Sequence, residues 1–198
     1  MMSSVAERGA LIAAARTGDE RAFVELTSPH RRALHVHCYR LLGSVHDADD
    51  ALQEALLRAW RGIGGYQPRA PISAWLYRIA TNVCLRMLEQ RNRHAAIAVD
   101  VHLEPYPEPA APPALEPAFS VEGDEAVGLA FVAAMQLLPP KQRVVLVLRD
   151  VLDWSAREVA ELLRDTEPAV NSAATRPPSN PPGATGRVAR TRTPPQQR

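Results

Sequence analysis

Six prolines fall between Pro105 and Pro117, inside a stretch (95–125) that holds seven Asp or Glu and no Lys or Arg. Proline fixes φ and removes a backbone donor, so this stretch cannot build a helix interior or a central strand. Its composition reads as an extended acidic linker. The 198 residues are thereby divided into two blocks, each of which has to bury its own apolar face. Neither block carries a convincing period-two alternation, while both repeat apolar residues at helical spacing. The expected fold class is all-α: two small helical domains, 8–94 and 125–176, joined by the linker at 95–124. A Pro/Gly/Thr/Arg-rich tail, 177–198, follows and should be disordered.

In the first block Leu11, Ala14, Ala15, Ala22 and Phe23 fit one helical stripe, interrupted near Gly18 and Asp19. A helix over 31–42 ends at Gly43, a good residue just past a helix end. Ser44 then suits the cap of the next helix, with Asp47 as the capping-box acid and Asp49 and Asp50 in the positive first turn. Along 47–61 the residues Ala48, Ala51, Leu52, Ala55, Leu56, Ala59 and Trp60 make one apolar face, leaving Asp50, Gln53, Glu54, Arg58 and Arg61 elsewhere on the surface. A glycine-rich loop, 62–70, leads to Pro71, which suits the first position of a helix. That helix runs to about 93, with Ile72, Trp75, Leu76, Ile79, Ala80, Val83, Met87 and Leu88 on its buried stripe.

The second block breaks at Leu138-Pro139-Pro140, then continues as helices over 142–152 and 155–163 and a short helix from Pro168. Ser155 with Glu158 forms a capping-box pattern. Arg164, Asp165 and Thr166 make a tight turn, and Val170 is the inward anchor of the second helix. A short turn between two small helices is the geometry that presents a helix to a DNA major groove, although an ordinary helical hairpin has the same outline. On the second helix Asn171, Ser172 and Arg176 are the available donors, and Pro177-Pro178 stop it soon after.

The formal charge of +1 is an average that hides strong segregation. Residues 1–94 carry a balance of +4, 95–125 of −7, 126–174 of −1 and 175–198 of +5. Lysine occurs once, at Lys141, against 22 arginines, a bias that fits a GC-rich coding sequence better than selection for phosphate contacts. On the helix after the glycine loop, Arg78, Asn82, Arg86 and Arg93 recur at helical spacing. They form either a solvated face or a second DNA surface, with Tyr66, Trp75 and Tyr77 as stacking candidates for unpaired bases.

Enzymatic readings have little to stand on. No phosphate-binding loop, HExxH or nucleophile elbow occurs, so no catalytic residue and no cofactor are expected. His30, His35, His37 and Cys38 hint at a metal, but on a helix His37 points about 100° away from Cys38 and packing or surface roles are expected instead. Cys84 lies among apolar residues and should be core. No apolar run of about 18 residues and no basic-then-apolar leader is present, so a cytoplasmic protein without a membrane or small-molecule partner is expected.

The run Ser44-Val45-His46-Asp47-Ala48-Asp49-Asp50-Ala51-Leu52-Gln53-Glu54-Ala55-Leu56-Leu57-Arg58-Ala59-Trp60, with Trp75-Leu76-Tyr77-Arg78-Ile79-Ala80-Thr81-Asn82, resembles region 2 of the extracytoplasmic-function (ECF) sigma factors of the sigma-70 class. Leu137-Leu138-Pro139-Pro140-Lys141-Gln142-Arg143 through Val170-Asn171-Ser172-Ala173 resembles region 4 of the same family, and 30–40 is similar to its large actinobacterial, SigG-type members. The resemblance implies a factor that directs RNA polymerase to promoters. Asp50, Gln53 and Glu54 would dock on the β′ clamp helices of the core enzyme. The loop and the following helix, through Tyr66, Arg69, Trp75, Arg78, Asn82 and Arg86, would open the −10 element. The linker would thread polymerase channels. Region 4, through Ser155, Arg157, Asn171, Ser172 and Arg176, would read the −35 element while packing on the β flap. An anti-sigma factor is a further implied partner.

The chain departs from that pattern after Ala173, where Ala174-Thr175-Arg176-Pro177-Pro178 replaces the residues that complete the family's recognition helix. The SnoaL-like domain of the large members does not appear in these residues. The expectation is a truncated or frameshifted product in which core and −10 binding survive better than −35 binding. The competing readings are a stand-alone helix-turn-helix regulator and an inactive fragment that sequesters polymerase.

Overall fold

A computed structural model of the chain describes residues 2–94 and 125–175. The linker expected at 95–124, the tail at 177–198 and the side chain of Arg176 lie outside the described residues. The first module holds α1 (Met2–Arg16), α2 (Glu20–Thr27), α3 (Arg31–Leu42), α4 (Val45–Gly62) and α5 (Ile72–His94). The second holds α6 (Glu125–Gln136), α7 (Pro140–Leu146), α8 (Ala156–Leu163) and α9 (Glu167–Thr175). No strand occurs among the described residues.

The helix boundaries follow from short-range chemistry. Gly18 takes a positive φ of 94° between α1 and α2. Asp19 then caps α2, its Oδ1 accepting from the amides of Arg21 (2.9 Å) and Ala22 (3.1 Å). Gly43, at φ 76°, closes α3 by donating its N–H to the Tyr39 carbonyl at 2.8 Å. Ser44 caps α4 by accepting from the Asp47 amide at 3.3 Å. The carboxylate of Asp47, expected to complete the box, pairs instead with Arg91 of α5. Pro71 sits one position before α5 rather than inside its first turn, and its carbonyl accepts the Trp75 amide at 3.3 Å.

α3, α4 and α5 pack on one another to form the first core. Ala48, Ala51, Ala55 and Ala59 lie buried with Leu52 and Leu56 on one face of α4, and small side chains let neighbouring helix backbones come close. Trp60 meets Phe23 of α2 edge-on at 5.1 Å. Between α3 and α5, His37 Nε2 lies 2.9 Å from Thr81 Oγ1, and Cys38 and Cys84 are fully buried in the same seam. The sequence pattern implied a core role for Cys84, and the packing agrees.

The second core is valine-rich. Val144, Val145, Val147 and Leu148 are buried with Val159, Leu162 and Val170. The helix expected over 142–152 is instead α7 followed by a wider π-type turn over Val147–Val151. Leu152 N donates to Val147 O (3.1 Å) and Trp154 N to Leu148 O (2.9 Å), and the chain then turns through Asp153, at φ 54°, into α8. None of the helices searched among the described residues is long and apolar enough to cross a membrane.

The two modules pack together through α3 against α6 and α7 and through α5 against α7, so their apolar residues join in one core, and the polar part of that seam is the C-terminal end of α3. Arg143 of α7, only 5% exposed, inserts its guanidinium there and donates to Leu41 O at 2.6 Å. The same group holds Gln136 O (2.8 Å), Leu138 O (3.2 Å) and the Gln136 side chain.

Candidate nucleic-acid interface

Three surfaces carry the residues singled out by sequence. The first is the outward face of α4. Asp50 and Gln53 are exposed, and Glu54 lies one helical step away. His46 Nε2 stands 3.8 Å from Asp50 Oδ2, and Arg58 Nε lies 2.5 Å from Glu54 Oε1. Both pairs are local i,i+4 contacts at the surface, where such pairing contributes only a few tenths of a kcal/mol. The carboxylates therefore remain available to a stronger cationic partner. Leu57, 44% exposed on the same helix, adds an apolar patch one turn further along.

The second surface is the loop before α5 and the face of α5 itself. Trp75, Arg78, Asn82 and Arg86 fall at spacings of three and four, so they share one face. Arg69 and Arg86 are exposed, while Trp75 is half-buried. Asn82, partly exposed, donates from Nδ2 to the Arg78 carbonyl of its own helix at 2.9 Å. Tyr66 is placed differently from its expected stacking role. It is 5% exposed, its hydroxyl donates to Ala70 O at 2.7 Å, and its ring rests against Trp75 at 5.2 Å. Arg16 of α1 also holds the Tyr66 carbonyl. Tyr77 is likewise inside, edge-on to His37 at 5.1 Å. Burial raises the pKa of both phenols. Of the three aromatic rings, only Trp75 keeps part of its surface in water. Tyr66 acts from behind, as the clasp that shapes the loop.

The third surface is the pair α8–α9. Ser155 and Glu158 form a complete capping box: Ser155 Oγ accepts from Glu158 N (3.2 Å), while Glu158 Oε2 accepts from Ser155 N (2.9 Å) and Oγ (2.7 Å). These bonds hold the Glu158 carboxyl below the usual carboxylate range. Ser155 is thus already committed to its own helix end. The turn uses Arg164 in the left-handed region at φ 53°, and Lys141 of α7 pairs with Asp165. Val170 is buried, which fixes the rotation of α9 and directs Asn171 and Ser172 outward. Asn171 Oδ1 accepts from Arg149 Nη1 at 2.9 Å, and Ser172 Oγ donates to Pro168 O at 2.8 Å. Arg157 is exposed and pairs with Glu161 Oε1 at 3.3 Å.

Two residues that the sequence reading passed over matter here. Arg143 stands where the helical register of Val144, Val147, Leu148 and Val151 turns inward, and an arginine inside an apolar stripe is the signal that marks a buried cation. Burial lowers its pKa to about 10, with the nearby Arg91 adding to the effect, so it stays charged at neutral pH. Glu161 is the other. It joins Arg157 to Arg78 across the modules, the latter at 3.3 Å, and no sequence pattern announces a pairing so distant along the chain.

Comparisons with known proteins place this geometry. Residues 26–94 match the family model for Sigma-70 region 2, and residues 128–176 match that for Sigma-70, region 4. The ECF RNA polymerase sigma factor SigG of Mycobacterium tuberculosis is 44% identical over 174 residues, covering 79% of this chain and 46% of SigG. The chain therefore spans about half the length of that relative. The ECF RNA polymerase sigma factor SigM of the same species is 33% identical over 162 residues, covering 82% of this chain and 76% of SigM. Among solved structures, CnrH in complex with the cytosolic domain of CnrY superimposes with a TM-score of 0.55 at 27% identity, covering 85% of this chain and 90% of CnrH.

Proposed function

The chain belongs to the ECF family of RNA polymerase sigma factors, and from that premise we propose that it binds core RNA polymerase and directs it to promoter DNA. The observation that carries this reading is the presence in one chain of a rigid helix with an exposed acid–amide face, α4, and a separate helix-turn-helix, α8–α9. We assign Asp50, Gln53 and Glu54 to the β′ clamp helices of the core enzyme. Acids on a rigid helix suit a basic coiled-coil partner and favour encounter with it. Arg69, Trp75, Arg78, Asn82 and Arg86 would engage the −10 element, with Tyr66 shaping the loop that presents them. Arg157, Asn171, Ser172 and Arg176 would meet the −35 element, supported at the helix start by Ser155. The working division remains 8–94 and 125–176, with 95–124 as the connection between the two DNA-reading modules and 177–198 as the tail.

No chemistry on a substrate is assigned to the chain; bond formation belongs to the polymerase, and the factor contributes recognition. A cytoplasmic location follows from that partnership. CnrH was solved with another protein's cytosolic domain bound to it, and an anti-sigma factor is proposed as a further partner here.

A core-enzyme pull-down tests the assignment. The wild-type chain is expected to be captured by purified polymerase core, and Glu54→Lys, which reverses a charge on α4 without touching its buried face, is expected to reduce capture by tenfold or more. Equal capture of a folded Glu54→Lys variant would remove α4 from the docking surface.

A further inference from the structure

The glycine-rich loop before α5 has little of its own to hold it in shape. Gly64 and Gly65 are exposed, and a Cβ built on either would meet nothing within 4 Å. Gln67, Pro68, Arg69 and Ala70 are exposed as well. Between the buried Ile63 and the buried Ile72, Tyr66 alone is buried. Its amide donates to Ile63 O (3.1 Å) and its hydroxyl to Ala70 O (2.7 Å), so one residue ties the two ends of the loop together. The carbonyl of Tyr66 is held from outside the loop, by the Arg16 guanidinium of α1, 50 positions earlier in the chain.

Arg16 stands on a firm base. Ile12 and Ala15 are buried, and Leu11 and Ala14 pack against the same core, which fixes the rotation of α1 about its axis. The helix ends just beyond: Thr17 N and Asp19 N both donate to Ala14 O (3.0 and 3.1 Å), and Gly18 N donates to Ala15 O (3.1 Å). A cation in the last turn also meets the negative end of the helix dipole. Arg8, about two turns earlier, lies near enough to act electrostatically on Tyr66 and on His30, so α1 brings two cations to the loop. The residues matched to Sigma-70 region 2 begin at 26, and α1 lies before them.

We propose that Arg16 is a positioning residue for promoter selectivity: through the Tyr66 carbonyl it holds the loop in the shape that favours one −10 sequence over others. The inference rests on the sigma-factor reading of that loop. Selectivity is a difference between affinities, and a site discriminates when its parts are held to within about 0.5 Å. A loop released at Tyr66 adapts to other bases, and it gives up conformational entropy on ordering around any of them. Base preference therefore relaxes. The acid–amide face assigned to the core enzyme belongs to another helix, α4, and keeps its docking role.

Two measurements on the full-length chain test this. In NMR relaxation of the free protein, wild-type residues 64–70 are expected to be as rigid as the flanking helices, with order parameters of about 0.85, and Arg16→Gln is expected to bring them to about 0.6 or below while α4 and α5 stay unchanged. The second is transcription with core enzyme on promoters carrying a randomised −10 element. There Arg16→Gln is expected to cut the wild-type base preference by about threefold to tenfold, the scale of one partly exposed charged hydrogen bond, with capture by core enzyme unchanged. Arg16→Lys, which keeps the charge and a donor, should restore part of the preference. Tyr66→Phe, which removes only the bond to Ala70 O, should relax it in the same direction. A wild-type loop already as loose as that of Arg16→Gln overturns the proposal. So does an unaltered base preference in Arg16→Gln, or a loss of transcription spread equally over all promoters. If the wild-type chain confers no selective transcription at all, the sigma-factor reading fails instead, and the relaxation measurement still decides whether Arg16 holds the loop.

Discussion

His37 and Arg143 are the residues whose environment most changes their chemistry. Burial between α3 and α5, with Arg40 nearby, lowers the pKa of His37 to about 3. The folded protein therefore holds it neutral, with Nε2 at Thr81 and Nδ1 unpartnered. Unfolding restores an ordinary imidazole that takes a proton near pH 6.5. The stabilisation is complete above that pH and is lost as pH falls from 6.5 towards 3, at up to about 1.4 kcal/mol per pH unit. Urea titrations at a series of pH values should reveal this slope, and His37→Gln should flatten it while lowering stability at neutral pH. Arg143 acts through geometry. Its planar fork spreads over carbonyls from two helices, which a single ammonium cannot imitate. Arg143→Met is expected to lower stability by about 3 kcal/mol in urea unfolding followed by circular dichroism, because it strands buried carbonyl oxygens. Arg143→Lys should recover only part of that loss.

At the scale of single helices, much was legible in advance. Gly43, Ser44 and the Ser155–Glu158 pair announce their helix ends by local rules that operate within four residues of chain, and the structure places them accordingly. Ser155→Ala should therefore cost about 1 kcal/mol of second-module stability through the lost cap. That loss should register in thermal unfolding without changing the salt dependence of DNA binding, as a phosphate contact would. What remained hidden was longer in range. The π-type turn over Val147–Val151 leaves the apolar register nearly intact, so periodicity alone read it as continuous helix. Tyr66 looked like an exposed loop aromatic because its partners, Arg16 and Trp75, come from elsewhere in the fold. Asp47 looked like a capping acid because Arg91 is distant in sequence.

At the scale of the whole molecule, the division into two helical modules was readable from proline and charge, and the family from the order of two motifs. Their mutual packing was not. It depends on Arg143 and Glu161 meeting groups some 80 to 100 positions away in sequence, and hydropathy carries no record of such meetings. The central claim is that these modules give a polymerase its aim, and run-off transcription on a pool of genomic fragments tests it most directly. With purified core enzyme, the chain is predicted to concentrate transcripts at a small set of discrete start sites, and the Asp50→Ala, Gln53→Ala, Glu54→Ala triple variant is predicted to abolish that pattern while remaining folded. A well-folded wild-type chain that leaves the core enzyme as unselective as before would contradict the account.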